Sequence, residues 1–395
     1  MTTYPTYKLG EICETTSGGT PNRKNDAYYG GIIPWVKSGE LGKGIIYDTE
    51  EKITEQAVKE SSAKIFPKGT LLIALYGATI GKLGFLGVPA ATNQAVCGIF
   101  ENEKIDLQFL SYYLFHKRND LIAQGTGGAQ PNISQTILKN LSIPLPPLPT
   151  QHAIVTRIET LFAELDKAVQ HLRTAQQQLK TYRQAVLKVA FEGCENAEKH
   201  LFGELMADVR NGYGAKPTDC GTNKLLRISS VRAMNLNLDD FRFNNSSFDE
   251  RDIIQENDLL FTRYNGSVDL VGVCAYVPEL YATYAYPDKI IRCRPKVCNT
   301  FHSKFLQYYI NQGKAREFVR SKIKTTSGQN GISGSDIKKI EIPFPPLAEQ
   351  QRIVAEIESR LSQASTSSAY IENALQQSEA LRQSILKKAF SGELV

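Results

Sequence analysis

A glycine-rich stretch, GATIGKLG at positions 77–84, contains the residue types that bind phosphate in nucleotide-hydrolysing enzymes. A phosphate-binding loop needs four residues between its glycines, and a serine or threonine after its lysine to hold Mg²⁺. Here three residues separate Gly77 from Gly81, and Leu83 follows Lys82. We therefore interpret this stretch as a turn between two strands.

The cysteines and histidines do not form a recognisable metal-binding pattern. The seven cysteines include no CxxC pair, and Cys293, Cys298 and His302 fit no common zinc spacing. The motifs HExxH and GxSxG are absent, as is the Asp/Asn-Pro-Pro-aromatic motif of amino methyltransferases. We predict that this chain carries no catalytic residue, metal or cofactor, and an enzyme with an unfamiliar arrangement of residues stays open as an alternative.

The polar loops contain residue types that could recognise DNA bases. Arg and Lys bind guanine, Asn and Gln bind adenine, and cations bind phosphate. In the first half of the chain, the candidate DNA-binding residues are Thr20, Asn22, Arg23, Lys24, Lys37, Tyr76, Lys82, Asn93 and Gln94. In the second half, they are Tyr213, Lys216, Arg227, Arg232, Arg263, Tyr264, Asn265, Lys322, Lys324, Gln329 and Asn330. Each of these residues could instead be an ordinary solvated surface group. The net charge of +5 permits a nucleic-acid partner without requiring one.

The elements that must position these loops occur twice. The stretch IPLPPLPTQHAIVTRIE (143–159) is repeated without a gap as IPFPPLAEQQRIVAEIE (342–358). Between 143–193 and 342–392, 20 of 51 positions are identical, which is enough to identify a duplication. We call the two proline-rich segments the hinges. Their candidate structural and subunit-contact residues are Pro144, Pro147, Leu148, Gln151, Pro343, Pro346, Leu347 and Gln350.

After each hinge the sequence predicts a long helix. From Ile154, apolar or small residues recur at alternating steps of four and three as far as Tyr182, Val186 and Val189, which is the spacing of a coiled-coil seam. The candidate seam residues are Ile154, Ile158, Leu161, Leu165, Leu172, Leu179, Ile357, Leu361 and Ile371. The first helix of about 42 residues should be about 63 Å long. We expect it to bury its seam against the second helix of the same chain.

The regions before the hinges, which we call head one and head two, consist of short apolar runs separated by glycine. Such runs are typical of strands and tight turns. We predict an α+β protein with two tandem mixed α/β heads, each followed by a long helix, and the two helices paired as an antiparallel coiled coil with pseudo-two-fold symmetry. The predicted domains are head one at 1–148, its helix at 149–193, head two at 194–347 and its helix at 348–395.

The composition sets the broad class and the expected location. Hydrophobic residues make up 42% and charged residues 22% of the chain, which is typical of a folded domain and not of a disordered one. The sequence shows no signal peptide and no apolar run of the length that a membrane span needs. We expect a cytoplasmic protein.

The repeated pattern NIS…LKNLSIPLPPLPTQHAIVTRIE…YRQAVLKVAFEG and GIS…IKKIEIPFPPLAEQQRIVAEIE…LRQSILKKAFSG resembles the specificity subunits of type I restriction–modification systems. The resemblance covers essentially the whole chain. It implies that the heads are target recognition domains, each reading one half of a bipartite DNA target, and that the helices set the spacer between the halves. Where head one has GATIGKLG, head two has RYNGSVDLVG, as expected for heads that read different sequences.

The resemblance also implies partners. A specificity subunit is not an enzyme and binds two modification subunits, which carry S-adenosylmethionine and methylate adenine. Motor–nuclease restriction subunits join them to cleave double-stranded DNA. The sequence itself leaves open a coiled-coil scaffold with two protein-binding heads and no DNA specificity.

Overall fold

We describe the protein from a computed structural model. The structure describes residues 4–125, 132–194, 196–214, 218, 220–245, 248–296, 301–326 and 328–395. The chain forms two compact units. Unit 1 contains Met1–Arg173 and Glu372–Val395, and unit 2 contains Thr174–Ile371.

The two long helices are the main helical elements. The first, α6 (Leu148–Glu192), has 45 residues, and the second, α11 (Leu347–Phe390), has 44. Each begins in one unit and ends in the other, so each unit contains one half of both helices. Proline precedes the first residue of each helix, at Pro147 and Pro346.

Unit 1 contains the strands and short helices of head one. The strands are β1 (Thr6–Lys8), β2 (Thr15–Ser17), β3 (Tyr29–Val36), β4 (Gly44–Ile46), β5 (Lys52–Ile53), β6 (Ile65–Phe66), β7 (Leu71–Ala74), β8 (Leu83–Leu86), β9 (Ala90–Thr92), β10 (Val96–Ile99) and β11 (Ser142–Pro144). The helices before α6 are α1 (Leu9–Ile12), α2 (Glu55–Glu60), α3 (Leu107–His116), α4 (Arg118–Ala123) and α5 (Gln135–Lys139).

These strands form a five-stranded sheet of order β2-β10-β7-β8-β4 and a four-stranded sheet of order β5-β3-β9-β6. The pairs β4–β8 and β3–β9 are parallel, and the other pairs in the two sheets are antiparallel. Strand β7 reads LLIA and is buried along its whole length, as an apolar run in a central strand should be.

Unit 2 contains the corresponding elements of head two. The strands are β12 (Lys199–Leu201), β13 (Met206–Asn211), β14 (Asn223–Leu226), β15 (Val231–Arg232), β16 (Asn235–Leu236), β17 (Phe241–Asn244), β18 (Leu259–Thr262), β19 (Tyr264–Asn265), β20 (Cys274–Tyr276), β21 (Tyr284–Ala285), β22 (Ile290–Pro295), β23 (Lys324–Thr326), β24 (Gln329–Gly331) and β25 (Glu341–Pro343). The helices before α11 are α7 (Phe202–Leu205), α8 (Ser303–Ile310), α9 (Gly313–Ser321) and α10 (Gly334–Ile337).

The largest sheet of unit 2 has the order β13-β22-β18-β20 and is antiparallel throughout. Head two also contains two three-stranded sheets, of orders β17-β14-β21 and β19-β24-β23. In both units a short pair joins the start of the head to its hinge, β1 with β11 in unit 1 and β12 with β25 in unit 2.

Within each unit the two helix segments pack against each other in opposite directions. In unit 1, Ile154 and Ile158 at the start of α6 share a buried cluster with Leu386 and Ala389 at the end of α11. In unit 2, Leu187 near the end of α6 shares one with Ile357 near the start of α11. The predicted α+β class with paired long helices is confirmed, and the pairing is antiparallel.

The seam departs from the predicted heptad spacing towards the end of α6. Tyr182 and Val189 are 40% and 54% exposed, whereas Val186 is buried as predicted and its neighbours Leu187 and Phe191 are also buried. A straight helix with 3.6 residues per turn drifts by about 20° per heptad from a strict seven-residue repeat. The buried stripe therefore moves to neighbouring positions before the helix ends.

The remaining candidate seam residues are buried to different degrees. Leu165 is 9% exposed and Ile357 is fully buried, whereas Leu161, Leu172, Leu179, Leu361 and Ile371 are half-buried. The sequence SQASTSSAY (362–370) supplies mostly small polar residues near the middle of α11. Arg183 of α6 donates to Ser365 at 3.3 Å, so these small side chains face the part of α6 around Leu179 and cover little of its apolar surface.

Candidate nucleic-acid interface

Most of the head-one candidates are brought to one end of the two sheets. The amide of Gly19 donates to Thr92 at 2.9 Å, and the amide of Asn93 donates to Val36 at 3.0 Å. These bonds join the loop before β3, the end of β3 and the turn after β9. The Thr20 hydroxyl consequently donates to the Gln94 side-chain carbonyl, although 74 positions separate the two residues.

Two cations at this end share one carboxylate. Arg23 binds Glu51 at 2.5 Å, and Lys37 binds the same side chain at 2.9 Å. The hydrogen bond from Arg23, followed by that from Lys37, lowers the pKa of Glu51. The Arg23 guanidinium also lies over the Trp35 and Tyr29 rings, 4.9 and 4.8 Å from their centres. Arg23 is thus held in one orientation at the surface, as a residue that reads a base must be.

Glu51, Trp35 and Tyr29 were missed by reasoning from the sequence alone. The Trp35 indole donates to the carbonyl of Gly19 at 3.1 Å, so this ring supports the loop that carries Thr20 and Arg23. Trp35 is the only tryptophan of the chain. A single tryptophan next to polar loops was the signal that could have identified it.

The other head-one candidates differ in position. The amide of Leu75 donates to Ala95 at 2.8 Å, which places Tyr76 beside Gln94 at the same end of the sheet. Asn22 and Asn93 each accept a backbone N–H two residues further on and shape their own turns, and Lys24 is exposed. Lys82 lies apart from this group, in a cleft of unit 1 that Asp166 and Arg382 also line.

In head two, the sheet β19-β24-β23 brings another group together. Tyr264 pairs with Gly331, and Asn265 pairs with Asn330. The Arg263 guanidinium lies 4.6 Å from the centre of the Tyr264 ring. Lys322, Lys324 and Gln329 are exposed on the same hairpin and at its start.

Asn330 differs from the rest of this group because its side chain is buried. Its amide nitrogen donates to the carbonyl of Gly266 at 2.9 Å, and its amide oxygen accepts the Thr325 hydroxyl at 2.7 Å. The amide therefore ties the hairpin to the turn that follows Tyr264. Its predicted role as a reader of adenine stays a prediction.

The other head-two candidates lie elsewhere in unit 2. Tyr213 is half exposed and packs edge-on against Phe248. Arg227 is 3.5 Å from Asp240, and Arg232 donates to its neighbouring carbonyl of Val231 at 2.9 Å. Lys216 lies outside the described residues.

The hinges have the same geometry in both units. Pro144 pairs with Thr6 at the end of the β1–β11 pair, and Pro343 pairs with Lys199 at the end of β12–β25. The carbonyls of Pro147 and Pro346 accept the amides of the fourth residues after them, those of Gln151 and Gln350, at 3.1 Å. Leu148 and Leu347 are the first helical residues and are half-buried.

A buried glutamine joins each hinge to its head. Gln151 is fully buried, accepts the amide of Asp106 at 2.8 Å, and donates to Pro146 at 2.8 Å and to Lys104 at 3.1 Å. Gln350 is also fully buried, accepts the amide of His302 at 3.0 Å and donates to Pro345 at 2.8 Å. Asp106 and His302 are the residues that precede the first turns of α3 and α8. Each glutamine thus fixes the start of a long helix to the start of a helix in the head.

The described part of the chain contains no group of three or more His, Cys, Asp or Glu residues that could hold a metal ion. Burial raises the pKa of Cys13 and Cys97 to about 11, and it raises the pKa of Cys274 and Cys293 well above the usual value. These thiols are therefore inert at neutral pH. Within the same described ranges, no helix combines the length and apolar character that crossing a membrane requires.

Comparison with known protein families gives a match in both halves of the chain. Residues 1–172 and 242–377 match the family described as the type I restriction modification DNA specificity domain. The chain is 33% identical over 384 residues to the type I restriction enzyme EcoKI specificity subunit of Escherichia coli strain K12. It is 29% identical over 383 residues to the type I restriction enzyme StySPI specificity subunit of Salmonella potsdam. Each alignment covers 92% of this chain and 82% of the relative.

Two solved structures share the fold. One is a chain from a structure of complex assembly and conformational transition in the type I R-M system, with a TM-score of 0.77, covering 100% of this chain and 99% of that one. The other is the HsdS subunit from Thermoanaerobacter tengcongensis, with a TM-score of 0.64, covering 100% of this chain and 98% of that one. Both are 19% identical to this chain, so they carry an argument about the fold alone.

Proposed function

This chain belongs to the type I restriction modification DNA specificity family, and we propose that each of its heads reads one half of a bipartite DNA target. The observation that carries the proposal is the duplication of one architecture with different surface loops. Both units repeat the strand pair at the hinge, the buried glutamine and the long helix. Apart from Tyr76 and Tyr264, the candidate reading residues differ in type and placement between the two heads.

The candidate residues of each head have side chains that suit the reading of bases and the binding of phosphates. In head one, Thr20 and Gln94 present a hydroxyl and an amide beside the stacked guanidinium of Arg23. In head two, Arg263 lies on Tyr264 near the exposed Lys324. Amide and guanidinium groups match the patterns of base edges in the major groove, and lysines bind phosphates.

In this proposal the chain contributes recognition and its partners contribute catalysis. Two modification subunits bind it, carry S-adenosylmethionine and methylate an adenine in each half-site. Motor–nuclease restriction subunits join the same assembly and cleave DNA.

The long helices act in this proposal as the ruler that sets the spacer. A helix of 45 residues is about 67 Å long at 1.5 Å per residue. Successive major-groove faces of DNA repeat every 34–36 Å, so a helix of this length is comparable to about two turns of the duplex. The buried glutamines at the hinges keep the start of each helix in a fixed orientation to its own head.

The test is to remove one heptad from α6 and the facing heptad from α11, then determine the methylated target of the assembled complex. A heptad keeps the seam on the same face of each helix. We expect both half-site sequences to stay the same while the spacer changes or recognition is lost. A changed half-site with an unchanged spacer would contradict the ruler.

DNA binding by the wild-type complex at several salt concentrations tests the scaffold alternative. Phosphate contacts release counterions, so a DNA reader must lose affinity steeply as salt rises. Affinity that is absent at low salt would favour a scaffold with protein-binding heads.

A further inference from the structure

One turn occurs in both heads in the same structural frame, and we call it the reading turn. In head one it comprises residues 76–81, and in head two residues 264–272. The amide of Gly81 donates back to Ala74 at 2.9 Å, and the amide of Gly272 donates back to Thr262 at 2.8 Å. The turn therefore leaves a central strand and closes on that strand's own end in both heads.

The glycine that closes each reading turn cannot easily be replaced. Gly81 and Gly272 have φ values of +71° and +66°, in the left-handed region that other residues disfavour. A Cβ atom at Gly81 would lie 2.6 Å from Cγ of Arg118, and one at Gly272 would lie 2.5 Å from Cγ1 of Val319. In both heads a helix thus packs directly on the closing glycine.

An arginine from that helix holds the last carbonyl before the glycine. The Arg118 Nε donates to the carbonyl of Ile80 at 3.0 Å. The Arg316 guanidinium donates to the carbonyl of Val271 at 2.8 Å and to that of Asp269 at 2.7 Å. Arg316 is only 8% exposed, so burial lowers its pKa and the backbone carbonyls replace its lost hydration. The frame is the same in both heads although the helices around it differ in length.

The reading turn begins with a tyrosine at an equivalent position in both heads. The amide of Ile133 donates to Leu75 at 2.9 Å, and the amide of Ile332 donates to Arg263 at 3.0 Å. Tyr76 and Tyr264 directly follow these acceptors, so the two tyrosines occupy equivalent places. Tyr76 is 38% exposed and Tyr264 is half-buried.

The two heads differ in the residues between this tyrosine and the closing glycine, which we call the tip. Head one has four residues, GATI at 77–80, and head two has seven, NGSVDLV at 265–271. The longer tip is braced by Asn330, which donates to the carbonyl of Gly266, and by the pair of Arg320 with Asp269 at 2.8 Å. Exposed residues lie in each tip, namely Ala78 in head one and Gly266, Ser267, Val268 and Asp269 in head two.

Each reading turn lies beside the candidate base readers of its own head. Tyr76 is next to Gln94, and Asn265 pairs with Asn330 on the hairpin that carries Lys324. A fixed frame with an exposed tip of variable length lets a binding surface change without disturbing the core.

We propose that the reading turn is a specificity-determining element: its tip contacts base edges of duplex DNA and sets part of each half-site. Arg118 and Arg316 are positioning residues that hold the tip through its backbone carbonyls. This inference rests on the proposed function, because it needs both heads to read DNA.

The experiment grafts the head-two tip, residues 265–271, in place of residues 77–80 and maps the DNA methylated by the complete complex with its modification subunits. We expect a change of about tenfold in relative methylation between targets that differ at one or more positions of one half-site. The other half-site and the spacer should stay the same. The control inserts three residues after Lys68, in the turn at the opposite end of β7, and should leave the whole motif unchanged.

The outcomes distinguish a failure of the proposed function from a failure of the role assigned to the reading turn. A wild-type complex that methylates no split target overturns the proposed function itself. A wild-type split motif that the graft leaves unchanged overturns only the inference. If the graft does not fold, the single substitution Ala78→Arg takes its place, and an unchanged motif with that folded variant equally overturns the inference.

Arg118→Met tests the positioning role. We expect a broader base preference at one half-site, with the other half-site unchanged. If Arg118 were merely structural, its loss would lower the melting temperature and leave the motif unchanged, and that result would overturn its positioning role.

Discussion

The substitution Gln350→Met tests the account of the hinge most sharply. Methionine has nearly the same length and volume as glutamine but can neither donate nor accept the hydrogen bonds found here. The amide of His302 and the carbonyl of Pro345, 3.0 and 2.8 Å from the glutamine side chain, would both lose a partner. The site is fully buried, so water cannot readily replace that partner.

The magnitude follows from these two bonds. A buried hydrogen bond contributes about 0.5–1.5 kcal/mol, and a donor or acceptor left unsatisfied costs about 1–3 kcal/mol. Two groups left unsatisfied therefore lower the free energy of unfolding of Gln350→Met by about 2–6 kcal/mol. In a unit of about 200 residues, this corresponds to a fall in melting temperature of roughly 4–24 °C.

The chain supplies its own control. Gln351 is the next residue of α11 and is exposed, so Gln351→Met makes the same chemical change outside the buried hinge. A surface substitution of this kind changes stability by about 0.5 kcal/mol or less. Calorimetric melting of both variants and the parent protein measures the difference. Equal melting temperatures for the two variants would refute the role assigned to the buried glutamine.

Three further predictions concern the core, the DNA contacts and pH. Leu386→Ala, at a fully buried position of α11, should cost about 2–5 kcal/mol, whereas Leu381→Ala, at a position 51% exposed, should cost much less; chemical denaturation of both measures this. Arg263→Ala should relax one position of one half-site if the guanidinium reads a base, and a uniform loss of affinity across all targets would show a phosphate contact instead. Burial and nearby lysines lower the pKa of His116, so protonation opposes folding and stability should fall as the pH drops below about 6.5. His116→Gln should lose less melting temperature than the parent between pH 7 and pH 5, and an equal loss would contradict the assignment.

The duplicated part of the molecule could be predicted because its signals are local. Proline at the hinge, the steps of four and three from Ile154 and the repeat of both patterns each depend on neighbouring residues. The drift of the buried stripe near Tyr182 and Val189 could not be predicted from the heptad spacing alone, since it depends on the winding of the helix pair.

The candidate interface depended on contacts between residues far apart in the chain. The bond between Thr20 and Gln94, and the sharing of Glu51 by Arg23 and Lys37, follow from strand register and not from any local pattern. The same holds for the reading turn, whose equivalence in the two heads becomes evident only from its main-chain hydrogen bonds. Four residues align poorly with seven, so the sequences of the tips conceal the shared frame.

The most direct test of the central claim is a map of methylated adenine in host DNA after this chain is expressed together with its modification subunit. We expect a split motif of two defined half-sites separated by a gap of fixed length. One continuous motif, or a stable complex that leaves no new methylation on the DNA, would contradict the claim that the two heads read two halves of one target.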